Sequence, residues 1–328
     1  MKKKILMLCL TLVFAVIATF LIIELMPGNP VDILAREMVS TQGIPYDEAY
    51  QRATVQLNYD PNVPTYERVL DFGKGILKGD LGESLKYKTD VVDIVKSALP
   101  WTLLVTGIST ILAFIVGISI GMFTAWRRSK KLNFLIDTSA SILGAIPEYI
   151  VGFFLILIFA VNLKMLPAKG AYSTMTEVGF NMEFIGSVVK HALLPIMAFF
   201  IVNVVNWIIN MRSTAVGILG EDYIQYARAR GISNKKIVFK YVGRNAMLPM
   251  ITSLATTFGL LVGGSPLIEN LFSYPGVGYY LNNATANRDV TLMQGMFFII
   301  IVTVILCNFL VELLYGFIDP RLRRKGRV

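Results

Sequence analysis

The chain has 328 residues, of which 55% are hydrophobic and only 16% are charged, and its mean hydropathy is +0.60. Soluble domains carry about 25% charged residues, so this composition excludes an ordinary soluble domain and indicates lipid surroundings. Cys9 and Cys307 both lie in apolar runs, which implies no disulfide framework. The sequence has no G-x-x-x-x-G-K-[ST], H-E-x-x-H or C-x-x-C pattern, and the lone His191 cannot form a metal site by itself. Any energy source for an activity of this chain must therefore come from elsewhere.

Six apolar windows are long enough to cross a bilayer as helices, which takes roughly 20 residues. They cover residues 5–26, 101–126, 134–161, 191–211, 246–268 and 295–318. The first window begins with lysines, as a signal peptide does, but no small-x-small cleavage site follows it. We therefore predict an all-α integral membrane protein with six transmembrane helices, the first of which is retained.

The distribution of lysine and arginine predicts the orientation of these spans. The N-terminus has three, 127–131 has four, the loop 212–244 has seven and the tail 319–328 has five. The intervening loops 162–190 and 269–294 have only three and one. Because positive loops stay in the cytoplasm, we expect both termini and the 212–244 loop to be cytoplasmic. Basic residues divided among four membrane-flanking segments make no single footprint for a nucleic acid, so no such partner is expected.

The segment 27–100 is soluble in character and is predicted to be external. It carries eight basic and 11 acidic residues, together with turn signals and helix-like patches. A stretch of this size is too long for a bare loop. We expect a small, mostly helical element on the outer face.

The charged stretch EDYIQYARARGISNKKI, between two apolar windows, has the local signals of a short capped helix. Glu221 and Asp222 fall where the first turn of a helix favours anions, and Arg228 and Arg230 fall where the last turn favours cations. Gly231 then occupies the position just past the end, where a left-handed residue closes a helix.

A second helix is predicted to follow at once and to lead into the fifth window. Ser233 can cap it, and Ile232 and Ile237 have the spacing of a hydrophobic staple. An apolar stripe then continues the helix at Ile237, Val238, Tyr241 and Val242. The segment thus has the pattern helix, glycine hinge, helix.

One face of the first short helix is predicted to be small, aromatic and cationic, since Tyr223, Tyr226, Ala227 and Arg230 share it. Such a face suits a protein partner. The residues alone leave a second interpretation open, a basic loop that only fixes topology and contains an incidental helix.

The segments QYARARG and ISNKKIVFKYVGRNAMLP resemble the EAA loop of permease subunits in binding-protein-dependent ABC importers, most closely the branch that imports dipeptides, oligopeptides and nickel. The family pattern is E-A-A-x-x-x-G, a spacer and I-x-L-P. Here Gln225, Tyr226 and Ala227 stand where E-A-A is expected, and Leu248-Pro249 arrives later. The peptide branch carries a similar sequence. The departure removes any role that the resemblance would give to a glutamate at position 225.

Other motifs agree with that branch in their order along the chain. They are MPGNP (26–30), GDLGES (79–84), IPEY (146–149), ENLFSYPGVG (269–278) and DPRLR (319–323). The resemblance covers nearly the whole chain. It implies a type I ABC importer transmembrane fold.

The resemblance implies that residues 99–318 form an ABC transmembrane type-1 domain with five spans. Residues 1–98 would then supply the first span and the external segment, and 319–328 would form a basic cytoplasmic tail.

The resemblance also implies a mechanism in which the loop helix docks in a groove on a separate cytoplasmic ATPase. The residues assigned to this coupling loop are Glu221, Asp222, Tyr223, Tyr226, Ala227, Arg228, Ala229, Arg230 and Gly231. Within it, Arg228 and Arg230 would meet acidic or carbonyl groups, and Ala227 and Ala229 would allow close approach. Gly231 would set the bend.

The partners implied are a second homologous permease, one or two ATPase subunits, an external substrate-binding protein and the lipid bilayer. ATP and magnesium would bind the ATPase, with no cofactor on this chain, which is then not itself an enzyme. The location implied is the cell membrane.

Four polar residues inside the windows are candidates for lining the passage, since a polar group within a span is a functional hypothesis by default. Asn203, Asn206 and Asn210 follow one side of the fourth window, and their alternative role is interhelical hydrogen bonding. Glu148 follows Pro147 inside the third window, and its alternative is a helix break whose polar groups neighbours satisfy.

Two other classes of function compete with the importer permease. An ion-coupled secondary transporter needs coupled intramembrane carboxylates and often an inverted repeat, yet only Glu148 lies deep and the halves show no repeat. A membrane-embedded enzyme lacks any nucleophile or metal constellation here. Short peptides are the cargo that the resemblance favours, with nickel or a metal chelate and an oligosaccharide as alternatives.

Overall fold

The chain folds almost entirely into helices, as the composition and apolar windows predict. The computed structural model describes residues 2–26, 29–57, 63–127 and 129–318. Within these ranges the strand-type pairing is one isolated bridge between Glu83 and Asp90. The all-α class is therefore confirmed.

The helices are short in the polar segments and long in the apolar windows. In chain order they are α1 (Lys2–Leu25), α2 (Pro30–Gln42), α3 (Tyr46–Leu57), α4 (Thr65–Lys78), α5 (Val91–Thr102), α6 (Ile108–Arg127), α7 (Lys130–Ala145), α8 (Glu148–Leu155), α9 (Met182–Leu219), α10 (Asp222–Ala229), α11 (Asn234–Lys236), α12 (Arg244–Leu261), α13 (Pro266–Leu271), α14 (Val277–Ala286) and α15 (Val290–Ile318). Three wider π-helical segments, Leu103–Gly107, Ile156–Asn162 and Ile237–Gly243, continue neighbouring α-helices.

These helices pack into two compact units, each built from separated parts of the chain. The first unit contains Met1–Thr102, Val262–Asn270 and Pro275–Leu306. The second contains Leu103–Leu261, Leu271–Tyr274 and Cys307–Val328. The expected domain boundaries near residues 98 and 318 remain predictions, because compact packing and membership of a family domain are different properties.

In the first unit, the polar segment after α1 forms the helical element that the sequence predicts. Asn29 accepts a hydrogen bond from the N–H of Val31 at 2.9 Å and so caps α2. Gly43 ends α2 with a left-handed φ of 67°. Helices α2 and α3 then pack face to face around a small apolar core. Its buried members are Val31, Ala35, Met38, Ala49, Ala53 and Leu57.

The GDLGES segment is fixed to the start of α15, also in the first unit. Asp289, only 1% exposed, accepts hydrogen bonds from the Ser84 hydroxyl at 2.5 Å and from the N–H of Lys86 at 3.0 Å. Its other oxygen accepts from the N–H of Leu292 at 3.0 Å, which caps α15. Gly82 has a left-handed φ of 82°, and a Cβ there would lie 2.6 Å from Thr291 Cγ2, so a larger residue would strain the backbone and displace the Thr291 side chain.

The second unit is organised around close packing of α6 on α9. Gly117 and Gly121 form a G-x-x-x-G pattern on α6, and a Cβ at Gly117 would collide with Trp207 of α9. A Cβ at Gly121 would lie 2.6 Å from the Ile208 carbonyl oxygen. Small residues of this kind let membrane helices approach closely without a hydrophobic driving force.

The apolar core of the second unit joins α6, α9, α10 and the helix that leads into α12. We call it the α6–α9 core. Its buried members are Ala113, Phe114, Met122, Ala125, Trp207, Met211, Ala215, Leu219, Ile224, Ala227, Ile237, Val238, Val242, Ala246 and Met250.

The third apolar window is a bent pair of helices rather than one straight span. Helices α7 and α8 meet at Ile146-Pro147, and the helical segments Lys130–Ala145 and Glu148–Asn162 lie at 94° to each other. Proline has no N–H to continue the hydrogen-bond ladder, and the residue before it is disfavoured in helical conformation. The IPEY motif therefore does interrupt this window as predicted, but the single span drawn through 134–161 is corrected.

The fifth window also needs correction, because its helix ends before residue 268. Helix α12 stops at Leu261, and Gly264 in the following turn has a left-handed φ of 61°. Ser265 then precedes α13, and its hydroxyl accepts from the N–H of Ile268 in the first turn at 3.4 Å. Apolar composition alone did not reveal this turn.

By length and hydropathy, four helical stretches of the described chain can cross a membrane, or five if the bent pair counts as one span. The four lie within Leu6–Ile23, Val91–Arg127, Met182–Leu219 and Val290–Leu310. Helix α12 does not meet the same hydropathy criterion, since it starts with Arg244-Asn245. The predicted count of six is therefore not confirmed, although every predicted window contains a helix.

Candidate coupling site

The short helix α10 begins immediately after the 38-residue helix α9. Glu221 is its N-terminal cap residue, and the Glu221 carbonyl accepts from the N–H groups of Ile224 and Gln225 at 3.0 and 3.4 Å. Asp222 lies in the first turn, where its negative charge opposes the partial positive charge of the helix terminus. Asp222 thus lies in the first turn as predicted, whereas Glu221 lies one residue before it, and its side chain makes no capping hydrogen bond.

The C-terminal end of α10 closes at Gly231 in the way that the sequence predicts. The N–H of Gly231 donates to the Arg228 carbonyl at 2.9 Å, and the N–H of Ile232 donates to the Ala227 carbonyl at 3.2 Å. This pair of bonds is a Schellman motif, which needs a left-handed residue after the cap. Gly231 has φ = 72°, and an added Cβ there would meet nothing within 4 Å. Backbone conformation rather than space therefore requires the glycine.

The inner face of α10 is anchored in the α6–α9 core. Ile224 is fully buried and Ala227 is 5% exposed. The expectation that Ala227 shares a partner-facing surface with Tyr223, Tyr226 and Arg230 is therefore corrected. The reason is amphipathicity: residues 224 and 227 are three apart on one helical face, and both are apolar.

The outer face of α10 is polar and aromatic, and most of the predicted coupling residues lie there. Tyr226 is 72% exposed, the largest apolar exposure on this helix, while Asp222 and Ala229 are also exposed. Arg228 and Arg230 are exposed near the C-terminal end. The exposed side chains on this face are Asp222, Gln225, Tyr226, Ala229 and Arg230.

A side-chain hydrogen bond ties α10 to the start of α12. The Tyr223 hydroxyl accepts from the Asn245 amide at 2.9 Å, and the same amide group donates to the Tyr241 carbonyl at 2.9 Å. Tyr223 is 41% exposed, so it lies at the edge of the outer face. This contact adds a second attachment for α10 beside its buried apolar face.

The helix after Gly231 is continuous with α12, as the sequence predicts. Ser233 occupies its N-terminal cap position, although its hydroxyl makes no capping hydrogen bond. Ile237, Val238 and Val242 are buried in the α6–α9 core, and Tyr241 packs against it. The segment from Asn234 to Leu261 therefore joins the coupling loop directly to the fifth window.

The predicted passage residues are placed on two helices of the second unit. Asn206 and Asn210 are exposed on α9, and Asn203 donates from its side-chain amide to the Phe199 carbonyl of the same helix at 2.9 Å. Glu148 is half-buried at the first position of α8, directly after the 94° bend. Lining of a passage by these residues remains a prediction.

An ion pair between Asp137 and Arg212 links α7 to α9. The Arg212 side chain is 18% exposed and that of Asp137 is 54% exposed. Asp137 lies near the start of the third apolar window. Its partner, 75 residues away, required the fold to identify it.

Sequence analysis missed a buried carboxylate in the first unit, Glu269, which is 1% exposed. Its Oε1 accepts from the Thr102 hydroxyl at 3.0 Å, and its Oε2 accepts from the N–H of Tyr279 at 3.0 Å. The Thr102 oxygen in turn accepts from the N–H of Val277 at 2.8 Å. Glu269 and Thr102 together thus cap the N-terminus of α14, where free N–H groups need acceptors.

The glycines near Glu269 make room for its carboxylate. A Cβ at Gly264 or at Gly276 would collide with the carboxylate oxygens. The glycines of SYPGVG therefore belong to a turn that packs on Glu269. The signal that could have found this arrangement is the acid itself, placed directly after an apolar window in ENLFSYPGVG.

Burial raises the pKa of Glu269 to about 7, because a charged carboxylate loses its hydration there. The hydrogen bonds from the N–H of Tyr279 and the Thr102 hydroxyl oppose this shift by stabilising the charged form. The residue lies after α12, outside the helical stretches that can cross a membrane.

Comparison with known proteins identifies the family to which this arrangement belongs. Residues 117–324 match the family described as binding-protein-dependent transport system inner membrane component. The chain is 31% identical to the oligopeptide transport system permease protein AppB of Bacillus subtilis, over 93% of each chain. It is 30% identical to the dipeptide transport system permease protein DppB of Escherichia coli K12 over 96% of each chain, and 30% identical to the oligopeptide transport system permease protein OppB of Haemophilus influenzae over 95% of each. The matched region covers more than half of the chain and includes the whole of α10. This chain therefore belongs to the family of binding-protein-dependent transport system inner membrane components.

Proposed function

We propose that this chain is a permease subunit of an ATP-driven importer and that the loop Glu221–Gly231 couples it to a separate ATPase. The observation that carries the proposal is the geometry of α10. It is closed at its C-terminal end by the Schellman motif, anchored on its inner face and exposed on its outer face. A short helix with that combination can receive a force from a partner and pass it to the helices behind it.

The anchoring contacts supply the mechanical path. Ile224 and Ala227 pack into the α6–α9 core, and Tyr223 bonds to Asn245 at the start of α12. A push on α10 therefore reaches α9 and α12 through packed side chains rather than through a loose loop. Gly231, with its left-handed φ, lies between α10 and the following helix. Switching transitions commonly combine rigid elements with a few residues that absorb the backbone change.

ATP and magnesium bind the ATPase in this proposal, and this chain supplies no catalytic residue and no cofactor site. The outer face of α10 carries Tyr226 and Arg230, residue types that are enriched where protein interfaces have their strongest contacts. The remaining partners are a second homologous permease and an external binding protein. One or two kinds of ATPase complete the complex.

The cargo proposed is di- or oligopeptides, handed over by the external binding protein. The support is the similarity to three permeases whose names state dipeptide or oligopeptide transport. Asn206, Asn210 and Glu148 are proposed to line the passage, since polar groups in spans favour a water-filled path. Nickel, a metal chelate or an oligosaccharide remains the alternative cargo within the same class.

The proposed orientation places both termini and α10 in the cytoplasm of a multi-pass cell-membrane protein. The positive charge of the segments flanking these elements supports it. The helices α2, α3 and α4 would then face outward, on the side of the binding protein.

The test is affinity purification of the chain from gently solubilised native membranes, with partners identified by mass. We expect a second permease and at least one ATPase to be recovered. Tyr226→Asp should reduce the recovered ATPase by about tenfold or more, because a central aromatic contact is lost and a charge is added. The second permease should still be recovered.

Met175→Asp is the matched control, because Met175 is 95% exposed and lies in the loop before α9, away from α10. It should leave ATPase recovery unchanged. Equal ATPase recovery with Tyr226→Asp would contradict coupling through α10. Recovery of the chain alone, still moving solute in vesicles without ATP, would favour the ion-coupled transporter.

A further inference from the structure

A cavity of about 350 Å³ lies beside α10, on the flank away from Tyr223. Its lining residues come from four parts of the second unit. They are Trp126, Leu219, Arg228, Asn234, Ile237 and Val238. The cavity therefore opens where α6 and α9 end and where the helix toward α12 begins.

The lining combines an apolar floor with a rim of hydrogen-bond donors. Leu219, Ile237 and Val238 are buried and form the floor. Arg228 and Asn234 are exposed, and no acidic residue is among the lining residues of this cavity. Arginine and tryptophan side chains donate hydrogen bonds and accept none. The chemistry thus fits an anionic acceptor group that brings a small apolar portion with it.

The charge pattern of α6 places this cavity at the edge of the membrane. The chain carries no Asp, Glu, Lys or Arg between Lys96 and Arg127, so the uncharged run ends at Trp126. Tryptophan is enriched at the level of lipid headgroups. Headgroup layers add roughly 5–8 Å on each side of the hydrocarbon core, enough to reach a cavity formed at the ends of α6 and α9.

Further basic residues are close in sequence to the residues that line the cavity. Arg127, Lys130 and Lys131 follow Trp126, and Lys235 and Lys236 follow Asn234; all five are exposed. Basic residues next to membrane helices attract anionic lipid electrostatically.

We propose that this cavity binds the headgroup of an anionic phospholipid, with Arg228 paired to the phosphate and the apolar floor covered by the adjoining glycerol region. The lipid would then contact α10 directly. Membrane composition would set how firmly the coupling helix is held. This role for Arg228 replaces a salt bridge to the ATPase, whereas Arg230 on the outer face stays available to that partner.

The test uses the whole purified complex in vesicles that contain a photoactivatable phosphatidylglycerol. After illumination, the lipid should be found on peptides that contain Trp126 or residues 234–238. Arg228→Gln should reduce labelling of those peptides by about tenfold, which corresponds to the loss of one charge-assisted hydrogen bond. Arg228→Lys should restore part of it.

Arg230→Gln is the matched control, because Arg230 is exposed on the same helix but does not line the cavity. It should leave the labelling unchanged. A photoactivatable phosphatidylcholine at the same content should label these peptides far less.

Three outcomes would overturn the proposal. Equal labelling by the phosphatidylcholine probe would mean that the cavity does not recognise the net charge of the headgroup. Loss of labelling on addition of excess inorganic phosphate would identify a site for a free anion. Labelling of the permease pair that disappears when the ATPase is bound would mean that an acidic side chain of that partner fills the cavity. Because the readout is lipid attachment, failure here is distinguishable from failure of ATPase coupling, which is measured by co-purification.

Discussion

Single residues in this protein show two ways in which the free backbone N–H and C=O groups at a helix end obtain hydrogen-bond partners. Gly231 closes α10 through its own left-handed conformation, a purely local solution. Glu269 caps α14 from eight residues before that helix begins, a solution that depends on tertiary packing. The closure at Gly231 can be recognised from the sequence, whereas the capping by Glu269 is indicated in the sequence only by an acid beside an apolar window.

The buried carboxylate of Glu269 should make the stability of the first unit depend on pH. Its pKa is about 7 in the folded protein against a usual 4.5, so between these values the folded form holds a proton that the unfolded form has lost. Its stabilising contribution is therefore complete below pH 4.5 and is lost as the pH rises through about 7. Glu269→Gln, which mimics the protonated acid, should flatten this dependence in thermal melts of the purified complex.

The control for Glu269→Gln is Glu177→Gln, since Glu177 is exposed in the second unit. That variant should keep the wild-type fall in melting temperature across the same pH range. An identical pH dependence in wild type and Glu269→Gln would show that the Glu269 carboxylate does not titrate in this range.

At the scale of elements, the packing of α6 on α9 holds the second unit together. Phe114 and Trp207 meet edge to face, with ring centroids 5.0 Å apart, beside the close approach at Gly117 and Gly121. Such ring pairs add about 0.5–1.5 kcal/mol beyond the area that they bury. Because α10 is anchored in the same core, a change in the separation of α6 and α9 also alters the support of α10.

Gly121→Ala should therefore destabilise the second unit, although alanine is the better helix former. The new methyl group would lie 2.8 Å from Met211 Cβ as well as close to the Ile208 carbonyl. Overpacking of this kind costs about 1–3 kcal/mol, which should lower the thermal midpoint of the complex in detergent.

Gly217→Ala on α9 is the matched control for this contact, because a Cβ there meets nothing within 4 Å. It should leave the midpoint unchanged or raise it slightly, since alanine loses less backbone entropy on folding. A midpoint for Gly121→Ala as high as that of Gly217→Ala would mean that α6 and α9 tolerate a wider separation than the structure has.

At the scale of the whole molecule, the longest helix, α9, runs between two loops of opposite predicted location. Its 38 residues extend about 57 Å at 1.5 Å per residue, which exceeds the 40–45 Å of a complete bilayer. The loop before it has few basic residues and the loop after it has many. The ends of α9 should therefore emerge on opposite sides of the membrane.

Single cysteines at the two ends should report this orientation. In a chain with Cys9 and Cys307 changed to serine, Met175→Cys should react with an impermeant thiol reagent only from outside. Ser233→Cys should react only in inverted vesicles, because both sites are exposed but lie in loops on opposite sides. Reaction of both from the same side would contradict the charge-based orientation, and labelling after detergent opening controls for intrinsic reactivity.

Much of the structure of the candidate coupling site could be predicted from residues 221–242, because it depends on interactions between residues close in sequence. The acid Asp222 in the first turn, the closure at Gly231 and the apolar stripe into α12 are all confirmed. The prediction that Ala227 lies on the partner-facing surface of α10 was wrong. A small rotation of the helix about its axis changes which residues face inward, and only the position of the α6–α9 core decides which face is buried.

The sequence by itself determined the all-helical membrane class, the helical segment after α1 and the short helix α10, because composition, hydrophobic period and the residues at helix ends act over a few neighbouring positions. Only the tertiary structure decided the 94° bend at Pro147, the early end of α12, the Asp137–Arg212 pair and the capping of α14 by Glu269. A helix can bend or stop without a change in apolar composition. Pairing between distant residues depends on which helices become neighbours, and that is fixed by packing of the whole unit rather than by local preference.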